Sequence, residues 1–194
     1  MRRTAYLDHP DFMGHRTGPR HPERPARLEA IRRAVEGASA RGPWIRLDPR
    51  RASREDLERV HTPVYLDHLE SQSATHRYFL ETEDTPGSTG TWPAALRAAG
   101  AVMTAIDAVV EGAVDNAFCA VRPPGHHAGA GQARGFCFIN SIAVGARYAQ
   151  CRRGLGRVAI LDWDAHHGNG TQEIFEEDGS VLLCGTHQYP LYPG

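Results

Sequence analysis

Residues Arg157 to Thr171 read RVAILDWDAHHGNGT, and this stretch decides how the chain folds. An apolar β-type run, Val158 to Leu161, leads into Asp162, Asp164 and His166 and then a glycine-rich turn at Gly168 and Gly170. Alternate side chains of a strand share a face, so the spacing predicts Asp162, Asp164 and His166 pointing together at its carboxyl end. Open α/β sheets bind their ligands at that end. Asp164 and His166 offer a carboxylate oxygen and an imidazole nitrogen, a mixture suited to zinc better than to magnesium or calcium. Asp162 would orient a neighbour. The same residues could instead cap the turn between strand and helix, and this block alone leaves both readings open.

Two further blocks separate them: Arg122-Pro-Pro-Gly-His-His-Ala128 and Gly135-Phe-Cys-Phe-Ile-Asn140. With DWDAHHGNGT in this order, the chain resembles the zinc-dependent histone deacetylase family, in the class II-like branch of bacterial deacetylases and acetylpolyamine amidohydrolases. The likeness runs from His21-Pro-Glu-Arg-Pro25 to the last residue. It implies an α/β fold, a three-layer αβα arrangement with a mainly parallel sheet of the arginase and deacetylase type.

Hydrolysing an acetamide requires an activated water, a polarised carbonyl and a proton for the leaving amine. A metal with an open position supplies the first two. Adjacent histidines, titrating near neutrality, can move the protons. The resemblance makes His127 the general base and acid and His126 a positively charged helper, paired with Asn169 and Asp162 respectively. It makes Asp164 and His166 zinc ligands, and Gly135, Phe136 and Tyr192 the walls of a narrow acyl-lysine tunnel. Arg27 would line an internal channel behind the site, and a structural potassium ion would use the backbone carbonyls of Asp162, Asp164, His166 and Thr186. Gly185 stands where relatives carry a serine for that ion. The implied substrate is an acetylated lysine side chain or a small N-acetylated amine. His167 is expected to be a packed neighbour of the ligands.

The 194 residues are 41% hydrophobic, enough for one domain with a substantial core. A formal net charge of -1 gives no electrostatic footprint for direct nucleic-acid binding. All 22 residues counted as Lys or Arg are arginine, which suggests a GC-rich, bacterial genome. Cys119, Cys137, Cys151 and Cys184 are scattered, so neither a zinc knuckle nor a disulfide framework is expected. The N-terminus has no signal-like apolar stretch and no window is expected to approach a membrane span, which places the chain in the cytoplasm.

In chain order, strands are expected at Thr4 to Leu7, Trp44 to Leu47, Asn116 to Val121, Val158 to Leu161 and Val181 to Cys184. Helices are expected from Ala26 to Val35 (ended by Gly37 and Gly42), after Ser53, after Pro63, from a Thr91 cap to Gly112, from Ile139 to Gln150 and from Thr171 to Glu177. His61 reads as structural. Residues 71–91 read as a polar loop, with Asp84 solvated and left outside the site.

The family pattern includes a third zinc ligand and an oxyanion-stabilising tyrosine or histidine that have no match in these residues. The expectation is therefore a single deacetylase-like domain, 1–194, lacking its C-terminal part, and a chain that is inactive in isolation. The rival readings are a non-catalytic acyl-binding or inactive remnant, and an arginase-type ureohydrolase, against which Gly168 stands in place of a second aspartate.

Overall fold

The computed structural model describes residues 2–38 and 44–194. Its elements in chain order are β1 (Thr4–Leu7), α1 (Asp11–Gly14), α2 (Ala26–Gly37), β2 (Trp44–Leu47), α3 (Arg54–Glu58), α4 (Pro63–Thr75), β3 (Tyr78–Leu80) and β4 (Pro86–Ser88). There follow α5 (Thr91–Val110), β5 (Asn116–Cys119), α6 (Ser141–Arg153), β6 (Val158–Asp162), α7 (Asn169–Phe175) and β7 (Val181–Gly185).

The β-branched and apolar runs become parallel strands. β1 lies between β2 and β5, with Ala5 opposite Ile45 on one side and Ala117 on the other. β6 pairs with β7, Ile160 opposite Leu183. Strand alternation sorts the side chains of β1: Ala5 and Leu7 cluster with Ala101 and Ala105 of α5, while Tyr6 faces Phe12 and Leu28 and Val35 of α2. Helices thus cover both faces of this sheet. The alanines of α5 let it approach closely, and Gly100 is required there, since a Cβ would sit 1.9 Å from the Arg50 carbonyl oxygen.

β6 and β7 bury Ile160 and Val181 against Val144 of α6 and Phe175 of α7. Their other face is open, with Leu161 64% and Leu182 61% exposed. Among the described residues β5 and β6 do not pair, and an apolar cavity of about 810 Å³, lined by Ile106, Val121, Ile142 and Ile160, lies between them.

Several expectations need correction. Residues 71–91 are not one loop: α4 runs to Thr75, and β3 and β4 form an antiparallel hairpin with Phe79 opposite Gly87. Thr91 is the first helical residue of α5 and not its cap, because its hydroxyl is diverted to accept the Ser88 amide at 2.8 Å. β5 stops at Cys119; Ala120 donates once more to Leu7, and the prolines at 123 and 124 have no amide to continue with. α5 is, against expectation, long and apolar enough to cross a membrane, but half of that window is buried inside the protein as its central helix. Gly42 lies outside the described residues.

Candidate active site

β6 ends at Asp162, so strand alternation cannot align Asp164 and His166 as expected; hydrogen bonds of the following loop bring them together instead. Asp162 Oδ1 accepts the Asp164 amide at 3.1 Å, and Asp164 Oδ1 accepts the His166 amide at 2.8 Å. Each aspartate captures the amide two residues on, the local turn that Asp side chains favour. The second turn also sets His166 Nδ1 3.0 Å from Asp164 Oδ1. Gly168 must be glycine, because a Cβ would lie 2.3 Å from Asp162 Oδ2.

The residues 122–128 run alongside. His126 Nδ1 is 2.9 Å from Asp162 Oδ2, so both oxygens of that carboxylate are engaged. The bond from His126 is the main reason the Asp162 carboxyl is held below its ordinary range. His127 Nδ1 lies 2.8 Å from Asn169 Oδ1 at the start of α7. An amide oxygen only accepts, so Nδ1 carries the proton and Nε2 keeps its lone pair. Burial above all, reinforced by His126 whose ring is 4.0 Å away, lowers the His127 pKa to about 4. His127 is therefore neutral at neutral pH.

Buried polar side chains fix this segment. Arg122, with no exposed surface, grips Glu23 with two nitrogens at 2.5 and 2.7 Å and the Phe12 carbonyl with a third at 2.8 Å. Asn140 caps α6 through its Oδ1 at 3.1 Å and donates Nδ2 to the Ala128 carbonyl at 3.2 Å. Thr171 donates its amide to the His126 carbonyl at 3.0 Å.

Gly135 takes φ 56° and Phe136 φ 70°. A Cβ on Gly135 would lie 2.4 Å from His127 Cδ2, so this glycine is set by the catalytic candidate it touches. The Tyr192 ring stands perpendicular to the His127 ring at 4.9 Å, and burial raises its hydroxyl pKa. A cavity of about 320 Å³ brings together His126, His127, Gly135, Phe136, Asp164, His166 and Tyr192. Asp162 and Asn169 stand behind the histidines. The same cavity is lined by Glu23, Arg27 and Asp84. Asp84 had looked like a solvated loop acid, and nothing in its own neighbourhood of sequence distinguishes it. His167 contacts Gln172 at 2.9 Å and the His187 ring at 4.8 Å, whereas Asp178 pairs with Arg147.

Asp164 and His166 fit two corners of a zinc site by donor type and by the 3.0 Å between their donor atoms. Burial would raise the Asp164 carboxyl, but bonds from His166 outweigh it and keep the carboxylate charged. Their side chains, 51% and 42% exposed, remain accessible. Among the described residues no group of three His, Cys, Asp or Glu side chains could hold a metal ion.

The fold agrees with the comparisons to known proteins. The Histone deacetylase domain matches residues 21–194. A probable deacetylase of Archaeoglobus fulgidus is 42% identical over 193 residues, covering 98% of this chain and 53% of the relative. The histone deacetylase-like amidohydrolase of Pseudomonas aeruginosa is 42% identical over 172 residues, 89% of this chain and 44% of that protein. A crystal structure of the HDA15 HD domain superposes with a TM-score of 0.91 at 39% identity, over 98% of this chain and 57% of the other. The chain belongs to the histone deacetylase family. It spans about half the length of the curated relatives it matches.

Proposed function

We propose that the protein is a zinc-dependent deacetylase that hydrolyses the amide of acetyl-lysine or a small N-acetylated amine and releases acetate. The observation carrying this reading is the neutral His127, tethered through Nδ1 to Asn169, in one cavity with the pair Asp164 and His166. Asp164 and His166 would hold the metal, which when bound polarises the acetyl carbonyl and lowers the pKa of water. His127 Nε2 takes the proton from the attacking water and delivers one to the leaving nitrogen as the C–N bond breaks. Asn169 keeps that imidazole in the tautomer the transfer needs. His126, held by Asp162, lies beside it as the electrostatic helper. Phe136 and Tyr192 give the aliphatic stem an apolar wall, and burying it is worth ~0.8 kcal/mol per CH₂. Residues 1–194 act as one domain in this reading. A structural potassium ion would use backbone carbonyls, among them that of Asp162, which also accepts the Thr186 amide at 3.1 Å.

A non-catalytic acyl-binding role is the second reading, favoured by Phe136 and Tyr192 in the cavity, which would wall an acyl chain whether or not a metal is bound. Acetate release from an acetyl-lysine peptide and an N-acetylated diamine, measured on the full-length protein with and without a chelator, separates them. Chelator-sensitive release supports the deacetylase; acyl binding without release supports the alternative.

A further inference from the structure

Phe136 is the one non-glycine residue with positive φ among the described residues. A bulky side chain adopts that conformation only where its surroundings hold it, and such strain concentrates at functional sites. What holds Phe136 is the turn between β3 and β4. Its amide donates to Thr85 Oγ1 at 3.1 Å. The Thr85 hydroxyl, wholly buried, donates in turn to Asp84 Oδ1 at 2.8 Å. Thr82 supports the same atoms from the far side, 2.7 Å from each. Amide, hydroxyl and carboxylate form a chain in which each bond polarises the next. The edge is closed by His21, whose ring meets Phe136 perpendicularly at 4.5 Å while its Nε2 lies 3.3 Å from the Asp84 carbonyl.

We infer that Thr85 is a positioning residue for substrate specificity: its hydroxyl, anchored on Asp84, holds Phe136 in the left-handed conformation that presents its ring to the acyl groove. The inference rests on the proposed deacetylase reading for the role of the groove, but the link between Thr85 and Phe136 stands on geometry alone. It also gives the polar run Thr82-Glu-Asp-Thr85 a purpose that a solvated loop would not have. Asp84 is held charged although burial opposes it, because Thr82, Thr85 and the Gly135 amide bond it.

The test uses the full-length protein with Thr85→Val, which keeps the shape and removes the hydroxyl, and Thr85→Ser, which keeps the hydroxyl. Thr85→Val is expected to raise KM, and the inhibition constant of a hydroxamate with a six-carbon aliphatic chain, by about tenfold, the worth of roughly one hydrogen bond. The kcat should change by less than about twofold, acetohydroxamic acid, too short to reach the groove wall, should bind as before, and Thr85→Ser should restore both constants. Amide hydrogen exchange at Phe136, which needs no turnover, should accelerate in Thr85→Val alone. Unchanged constants and exchange in Thr85→Val would overturn the inference, as would a Thr85→Ser variant equally impaired, since packing of the methyl would then be responsible. A wild-type protein that neither turns over nor binds hydroxamates would instead defeat the deacetylase reading, leaving the exchange measurement to decide the Thr85 link.

Discussion

His127 and Asn169 are 42 positions apart in sequence, yet His127 Nδ1 lies 2.8 Å from the side-chain oxygen of Asn169. A neutral acceptor at that position fixes the imidazole tautomer without adding a buried negative charge. Asn169→Ala should therefore leave metal content unchanged while lowering kcat by about 10- to 100-fold, the usual cost of losing an orienting partner. Steady-state kinetics beside metal analysis check this, and unchanged kcat would remove Asn169 from the mechanism.

Gly135→Ala tests the contact from the other side. A Cβ there would lie 2.4 Å from His127 Cδ2 on a residue already at φ 56°. The imidazole must shift, so turnover should fall by at least about tenfold while the fold persists. Near-normal kcat would show that His127 tolerates displacement.

Stability should fall with acid in two stages. Burial lowers the His61 pKa from 6.5 to about 4. The unfolded chain takes up that proton first, so stability declines as pH falls from about 6.5 towards 4. Glu23 acts lower: burial would raise its carboxyl, but His15 and Arg122 outweigh this and bring it from 4.5 to about 2. Its contribution, on the order of 3 kcal/mol, is complete above about pH 4.5 and is lost towards pH 2. Urea unfolding at a series of pH values reads both limbs. Glu23→Gln should shrink the lower one, to which the depressed carboxyls of Asp162, Asp164 and Asp178 also contribute, and, by leaving Arg122 buried without its counter-charge, cost about 3–5 kcal/mol at neutral pH.

Much of this was readable in the sequence where one local rule acts alone. The apolar run Val158 to Leu161 announced β6, and Ser53 announced α3, whose capping box it forms with Asp56. The partners of His126 and His127 are 36 and 42 residues distant, and only resemblance to a family could connect them. The aspartate turns after Asp162 replaced strand alternation, so the expected grouping of Asp164 and His166 was reached for a different reason. The β3 and β4 hairpin was illegible because its strands are three residues each and carry no alternation long enough to read. With it went Thr85 and Asp84, whose importance lies wholly in what they touch.

The central claim is that His127 moves protons while Asp164 and His166 hold the metal. The most direct measurement is acetate release from an acetyl-lysine peptide together with bound zinc, on the full-length protein and on its His127→Ala and Asp164→Ala variants. The account predicts about one zinc per wild-type chain; His127→Ala keeps that metal and loses about 10²–10⁴ in kcat, while Asp164→Ala loses metal and activity together. A His127→Ala variant that turns over like wild type, or an Asp164→Ala variant that retains its zinc, would contradict it.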